Sequence, residues 1–564
     1  MKLCLAQLNP LIGDLKGNYA KIINTCTKAN KNNADLVITP ELSLLGYPPR
    51  DLLFNQHLVN RQWVFLEKIS AHLNSHATHL AVLVGVAEPT PDPKIPRLFN
   101  SIALITRNGW KIVCRKQLLP TYDVFDEKRY FRPSDSSGCM DFEIEGKTWQ
   151  IGLTICEDIW VEEKIQGQRL LGPDPIASLA TRKIDLLLNL SASPFTYTKR
   201  LIRQQIAGEA AKRLNCPVIY LNQVGGNDEL IFDGSSFVTN HEGLTTFSLP
   251  LCQESVAFWD YSYTKEASSL AIPDTEELLL NALVLGLRDY VEKCGFKSVV
   301  LGLSGGIDSA LVAIIACAAL GAENVLAILM PSPWSSESSV KDAKELAKRL
   351  GLPTETIPIT ALMHSYDQSL KVPLGEVPQG LTAENLQARI RGTLLMAIAN
   401  NQKHLLLSTG NKSEYAVGYC TLYGDMNGGL SVIGDLYKTS VFKLCNWLDS
   451  DKASQCRRSL MLPRSGALVG KSILTKPPSA ELSPNQFDSD SIPDYEILDP
   501  ILKELIEKQD QQTSIANQEH GTDLRQRVQK LFKQAEFKRR QAPPVLKVSD
   551  QAFGSGWRKP IAST

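Results

Sequence analysis

The chain has 564 residues, too many for one ordinary domain, so two to four domains are expected. Hydrophobic residues make up 43% and charged residues 21%, the balance of a soluble globular enzyme. Lys plus Arg and Asp plus Glu are both 60; this zero net charge argues weakly against nucleic-acid or membrane-surface binding, and no apolar run approaches bilayer length. Met1 to Pro10 hold too short an apolar stretch for a signal peptide and read as a first strand. Up to about residue 260, short β-rich runs alternate with helical stretches. Strands are expected at 35–39, 80–85, 151–155 and 184–189, and a hairpin joins 101–105 to 111–115 across Asn108-Gly109. Residues 261–275 lack periodicity and read as a linker, followed by a helix over 275–294. From 297 a second α/β pattern begins, with strands at 298–301, 324–329, 353–358 and 404–408 and helices at 338–350 and 384–400. That order predicts a doubly wound parallel sheet with its ligand at the carboxyl ends of the strands. Residues 476–530 are rich in Pro, Ser, Asp and Gln, and part of this stretch is expected to be mobile. The twelve cysteines contain no Cys-x-x-Cys pair and are expected to be reduced thiols of a cytoplasmic protein.

Three residues each follow an expected strand: Glu41, Lys116 and Cys156. Thiol-mediated amide hydrolysis needs a nucleophile, a proton carrier and a positive group for developing negative charge, and this trio supplies them. Lys beside Cys is also expected to lower the thiol pKa. Singly, each residue has a plainer reading, as a buried small hydrophobe or a solvated surface charge. The surrounding segments Pro40–Pro49, Arg115–Pro120 and Cys156–Trp160 together resemble the nitrilase (carbon–nitrogen hydrolase) superfamily over roughly residues 1–260. The resemblance implies an αββα sandwich, with Cys156 as nucleophile, Glu41 as general base and Lys116 as stabiliser of the tetrahedral intermediate. Asn189–Phe195 further resembles the glutamine-hydrolysing members, which implies that Tyr122, Ser193 and Lys199 contact glutamine; alone, the last two would read as a capped helix start with a solvated Lys.

In the second half, Leu303-Ser304-Gly305-Gly306-Ile307-Asp308-Ser309-Ala310 lies between an apolar run and an apolar helical stretch. Such a turn aims backbone N–H groups and a helix dipole at an anion. No Lys follows the glycines, so it is not a Walker-type loop; it resembles the loop of N-type ATP pyrophosphatases. Alone, Asp308 reads as a cap, Thr409 as an N-cap and Glu414 as a first-turn Glu. Asn385 and Arg389 share a helix face, from which Arg389 is expected to reach phosphate or simply solvent. Gly466–Ser472 looks like a Walker loop but has one residue too few between its glycines and reads as an ordinary loop.

Residues 303–310, 330–337, 385–391, 408–414, 433–438 and 478–482, with the tail 537–544, resemble the NAD⁺ synthetase family in that order. The resemblance implies that Gly302, Leu303, Ser304, Gly305, Gly306, Ile307, Asp308, Ser309 and Thr409 hold ATP, with Lys438 and Ser479 nearer its phosphates. It implies that Asn385, Glu414 and Lys538 contact deamido-NAD⁺, that Asp308 and Glu414 hold Mg²⁺, and that a loop around 476–490 closes over the site. The expected division is a glutaminase domain at 1–260, a linker at 261–275 and an NAD⁺ synthetase domain with an adenine nucleotide α-hydrolase-like sheet at 276–564. The whole resembles the glutamine-dependent members, which implies an enclosed ammonia passage and a homo-oligomer. Two alternatives stay open: another glutamine-dependent adenylylating amidotransferase, and a nucleotide-binding regulatory protein with a degenerate site.

Overall fold

Strands of the first half bury both faces, so each sheet needs a cover on both sides. The computed structural model describes residues 1–92, 94–167, 169–263, 273–507 and 522–563, and it separates into units Met1–Pro273 and Asp274–Thr564. In the first unit the strands are β1 (Lys2–Gln7), β2 (Leu36–Ile38), β3 (Ala81–Pro89), β4 (Leu98–Thr106), β5 (Gly109–Arg115), β6 (Gly138–Ile144), β7 (Lys147–Ile155), β8 (Leu186–Ser191), β9 (Val218–Asn222), β10 (Val224–Asn227), β11 (Leu230–Asp233), β12 (Phe237–Thr239), β13 (Thr245–Ser248) and β14 (Ser255–Asp260). They form two six-stranded sheets, ordered β14-β1-β2-β3-β4-β5 and β13-β12-β9-β8-β7-β6, plus the β10-β11 ribbon.

Strand alternation then sets the layers. Leu3, Leu5, Leu36, Ile38 and Leu83 of one sheet meet Ile151, Leu153, Leu186 and Leu188 of the other. The opposite face of the first sheet, Cys4, Ala6, Val37 and Val82, packs on Ile22, Leu66 and Ile69 of helices Leu15–Lys31 and Gln56–His76. The outer face of the second, Leu187, Val218 and Tyr220, packs on Ile206, Ala207 and Ala210 of helix Lys199–Leu214. The result is an αββα sandwich. The expected hairpin is β4–β5, paired antiparallel up to Thr106 and Gly109.

In the second unit, β15 (Val299–Gly302), β16 (Val325–Leu329), β17 (Thr354–Thr356), β18 (Leu405–Ser408) and β19 (Leu430–Ser431) form a parallel sheet ordered β17-β16-β15-β18-β19. The order reverses between β15 and β18, and their carboxyl ends flank the crevice where doubly wound folds bind ligands. Val300, Ile328 and Leu406 pack against Ala399, Leu395 and Ile398 of helix Gly380–Gln402. Helix Ile307–Leu320 is almost wholly buried.

One element departs from the sequence reading. Between β17 and helix Gly380–Gln402 lies a helix, Thr360–Leu374, absent from the sequence reading; none of its residues is buried. In the stretch 476–530 the described residues carry helices Tyr495–Glu507 and Thr522–Gln534, and residues 508–521 lie outside the described residues. Of the expected linker, residues 264–272 also lie outside them, between turn Tyr261–Tyr263 and helix Thr275–Lys293. Among the described residues no helix is long and apolar enough to cross a membrane.

Candidate active sites

Glu41 sits in the turn after β2, and this turn presses on β3 at Gly85. A Cβ there would lie 2.2 Å from Leu42 N and 2.7 Å from the Pro40 oxygen, so only glycine admits the approach. The Glu41 carboxylate is buried and fully engaged: Oε1 accepts from Asn100 Nδ2 at 2.7 Å and Lys116 Nζ at 2.8 Å, and Oε2 from Ala192 N at 3.0 Å. Lys116 leaves the end of β5 and donates equally, at 2.8 Å, to Glu127 Oε1, which also accepts from Tyr47 OH at 2.8 Å. Cys156 opens a tight turn after β7 with φ +46°, a left-handed conformation that is costly for a residue with a Cβ and common at functional sites.

Burial alone would lower the Lys116 pKa, but Glu127 and Glu41 outweigh it and hold the ammonium well above its ordinary value. The Cys156 thiol goes the other way from expectation. Burial raises it well above the ordinary thiol value, Glu41 adds to this, and Lys116 only partly opposes them. Burial and the neighbouring Glu41 thus favour the protonated thiol at Cys156 over a thiolate. Burial also raises the Glu127 carboxyl, against the pull of Lys116. Glu127 lies five residues after Tyr122 and has no strand-end signal, so sequence reasoning missed it.

Asp158, also missed, joins the strand ends that carry Lys116 and Cys156. Its Oδ1 accepts from Gln117 N at 2.9 Å and Leu118 N at 2.8 Å, directly after Lys116; Oδ2 accepts from Ile155 N at 3.1 Å, directly before Cys156. It is buried, which raises its pKa to about 6, with the Leu118 N–H and Lys116 opposing. Tyr122 donates to Glu157 Oε1 at 3.0 Å. Glu157 is raised by burial and opposed first by Lys199, whose Nζ lies 5.3 Å from the Trp160 ring centre. Tyr122, Glu157 and Lys199 therefore share one neighbourhood with the residue after Cys156. Ser193 follows β8, buried, with its backbone held by Asn222: N to Oδ1 at 2.8 Å and O from Nδ2 at 3.1 Å.

In the second unit a cavity of about 780 Å³ opens at the carboxyl ends of β15, β16 and β18. Gly302, Leu303, Ser304, Gly306, Ile307, Asp308, Ser309, Thr409, Lys438, Ser479, Asn385, Glu414 and Lys538 all line it. Gly305 (φ +83°) is not in that lining; it packs where a Cβ would fall 2.1 Å from the Ser339 oxygen. The loop is internally braced: Gly306 N donates to Ser304 Oγ at 3.2 Å, and Ser309 Oγ donates to Gly306 O at 3.0 Å. No side chain caps helix Ile307–Leu320. Thr409 is not the cap of the next helix, Lys412–Val417; Asn411 is, in a capping box with Glu414, which leaves Thr409 on the cavity wall.

Lys438 Nζ lies 2.5 Å from Asp308 Oδ2 and 3.7 Å from Glu414 Oε1. Burial would lower its pKa, but Asp308 and then Glu414 raise it. Glu414 is itself raised, first by burial and then by Asp308 and Asp488, against Lys438. One ammonium thus faces three carboxylates. Asp488, expected in a mobile stretch, is buried, with Oδ2 accepting from Tyr495 OH at 2.9 Å. Asn385 Oδ1 accepts from Thr421 Oγ1 at 2.9 Å, and Lys538 Nζ donates to the Gly418 and Cys420 oxygens, both at 2.8 Å; the pair brackets the loop after Glu414. Ser479 Oγ donates to the Gln486 oxygen within the segment 476–488, part of which forms one cavity wall. Arg389 is not in that wall and donates Nε to the Leu422 oxygen at 3.2 Å; Arg391 lines the cavity in its place. The Walker look-alike offers nothing to phosphate: the N–H groups of Leu468, Val469 and Gly470 donate to Asp449, and a short helix, Lys471–Thr475, follows.

Residues 2–261 match the family model described as carbon–nitrogen hydrolase, and residues 279–542 match NAD synthase. A Synechocystis sp. protein named glutamine-dependent NAD(+) synthetase is 49% identical, covering 99% of this chain and 98% of its own length; an Acinetobacter baylyi protein of the same name is 38% identical, covering 100% and 98%. The solved glutamine-dependent NAD⁺ synthetase of Acinetobacter baumannii, in complex with ADP, is 37% identical with a TM-score of 0.73, over 99% of this chain and 98% of that one. Two charge-built sites in two units and full-length likeness agree: this chain belongs to the glutamine-dependent NAD⁺ synthetases.

Proposed function

We propose that the chain converts deamido-NAD⁺ to NAD⁺, consuming ATP and taking nitrogen from glutamine. The observation that carries this reading is the clustering of Glu41 and Lys116 around Cys156 in one unit, with a second unit whose cavity is walled by the Ser304–Ser309 loop. Cys156 Sγ attacks the glutamine side-chain carbonyl as Glu41 takes the thiol proton. The oxyanion meets Lys116 Nζ. Collapse breaks the C–N bond, Glu41 returns the proton to the leaving nitrogen, ammonia departs, and water hydrolyses the thioester to glutamate. A thiol with a raised pKa suits this sequence, because its proton is kept until an amide needs it. Tyr122, Glu157, Ser193 and Lys199 would hold the amino-acid end of glutamine.

In the second unit a nicotinate carboxylate oxygen attacks the α-phosphorus of ATP and pyrophosphate leaves; ammonia then displaces AMP from the adenylate. The Ser304–Ser309 loop and Thr409 hold phosphate oxygens, Lys438 and Ser479 meet their charge, and Asn385, Glu414 and Lys538 orient deamido-NAD⁺. The carboxylate excess around Lys438 fits Mg²⁺, a hard cation that takes one or two protein carboxylates and completes its shell with phosphate and water. Asp308 and Glu414 would hold it; among the described residues no group of three His, Cys, Asp or Glu forms a cage by itself. Bound there, the ion neutralises phosphate charge.

The division falls near residues 260–276. The free state of all twelve cysteines supports a cytoplasmic setting. Helix Thr360–Leu374, with exposed Leu362, Tyr366, Val372 and Leu374, supports a homo-oligomer in which a second copy covers this face. The test is stoichiometry: glutamate formed per NAD⁺ made, in the presence of ATP, glutamine and deamido-NAD⁺. Approximate equality supports the reading, and no NAD⁺ formation contradicts it.

A further inference from the structure

Deeply placed guanidinium groups in this chain differ in their partners, and among the described residues Arg457 donates only to the backbone oxygens of Leu448, Pro463 and Gly466. Arg203 donates to Asp233 at 2.8 Å, and Arg539 donates to Glu536 at 2.8 Å and to two backbone oxygens at 2.6 and 2.7 Å. Arg391 lies on the cavity-facing side of helix Gly380–Gln402. Its Nε donates to the Met330 oxygen at 3.1 Å, and among the described residues no carboxylate comes within ion-pair reach of it. The nearest acidic influence is Glu481. That carboxylate is already taken: Oε1 accepts from Ser339 Oγ at 2.6 Å and Ser336 Oγ at 2.9 Å. Burial pulls the Arg391 pKa down to about 10, a sign of an incompletely compensated charge.

Its surroundings fix what the missing anion should be. Met330 follows β16, and Gly302, which opens the phosphate loop, sits against Met330 and against Leu395 one turn beyond Arg391. The guanidinium therefore borders the β15–β16 side of the loop, opposite in the sheet order to the Glu414 side after β18. We propose that Arg391 is a substrate-binding residue whose guanidinium pairs with a phosphate group of ATP in this cavity. A planar fork of N–H donors matches two phosphate oxygens, and it adds a positive charge where the loop itself carries no cation. The proposal rests on the reading of this cavity as the ATP site. A nicotinate carboxylate presents similar oxyanion chemistry, so the test separates the two.

Full-length Arg391→Gln and Arg391→Lys are compared with the parent chain by calorimetric binding of ATP, adenosine and deamido-NAD⁺, and by ammonia-driven NAD⁺ synthesis. Loss of charge-assisted hydrogen bonds predicts a roughly 10- to 100-fold weaker ATP affinity in Arg391→Gln, with Arg391→Lys between the two. Adenosine, which has no phosphate, and deamido-NAD⁺, whose diphosphate and carboxylate the proposal places away from Arg391, should stay within about twofold of the parent affinity. Unchanged ATP affinity in both variants overturns the proposal. So does a loss confined to deamido-NAD⁺, which assigns Arg391 to the carboxylate or diphosphate of that substrate, or an equal loss for ATP and adenosine, which assigns it to the base or to helix packing. Failure of the parent chain to bind ATP would instead contradict the ATP reading of the cavity.

Discussion

In the N-terminal unit one ammonium, Lys116, lies 2.8 Å from each of two carboxylates, and all three groups are sealed from water. In the C-terminal cavity one ammonium, Lys438, faces Asp308, Glu414 and Asp488 in a space of about 780 Å³, and nearby Arg391 meets no carboxylate among the described residues. The first set is closed on itself by hydrogen bonds and suits a small, neutral amide whose charge appears only in the transition state. The second keeps both signs in local excess, as a site must when its ligands are a polyanion and a cation. Preorganisation thus means different things in the two halves: a closed hydrogen-bond network in one, withheld charge in the other.

The sharpest way to break this contrast is Lys116→Met. It leaves Glu41 and Glu127 buried without their cation, so glutamine-dependent synthesis should fall at least about 10³-fold and the N-terminal unit should lose roughly 3–5 kcal/mol of stability. Ammonia-driven synthesis should persist; thermal unfolding and paired assays read both. Lys438→Met removes charge from a site already in carboxylate excess. We expect a loss of about 10²–10³-fold with either nitrogen donor and little change in alkylation of Cys156. Asp158→Asn replaces an acceptor of three N–H bonds with a group that accepts at one end only. The Lys116 and Cys156 strand ends should drift, lowering glutaminase turnover by about 10- to 100-fold with a smaller effect on the glutamine KM. Acidity makes the mildest perturbation. Asp158 titrates at about 6, so its clamp is intact above that pH and is lost as pH falls through it. Glutaminase activity should therefore show an acid limb at or above pH 6, because Glu127 is also raised. Ammonia-driven synthesis, corrected for the ammonia fraction, should lack the Asp158 contribution.

Much of this was legible before any coordinates. Glu41, Lys116 and Cys156 each follow a short apolar run, and such runs became β2, β5 and β7. The phosphate loop announced itself by two glycines and two serines between a strand and a helix. What stayed hidden depended on distance in the chain or on helix phase. Asp158 acts across the sandwich on Gln117 and Leu118, and nothing in its neighbours marks that. Arg389 and Arg391 look alike in sequence, but the helix turns only the second toward the cavity. The direction of the Cys156 shift was misjudged because pairing with Lys116 could be guessed, whereas the depth of burial could not. Helix Thr360–Leu374 escaped because an apolar helix with no buried residue has no inward face to give it a pattern.

The division of labour between the two units is tested most directly by Cys156→Ala. NAD⁺ synthesis is measured with glutamine and, separately, with ammonium salt, at saturating ATP and deamido-NAD⁺. The account predicts that the glutamine-driven rate vanishes while the ammonia-driven rate stays within about twofold of the parent chain, because the thiol takes part only in releasing nitrogen. Equal loss of both rates would contradict it.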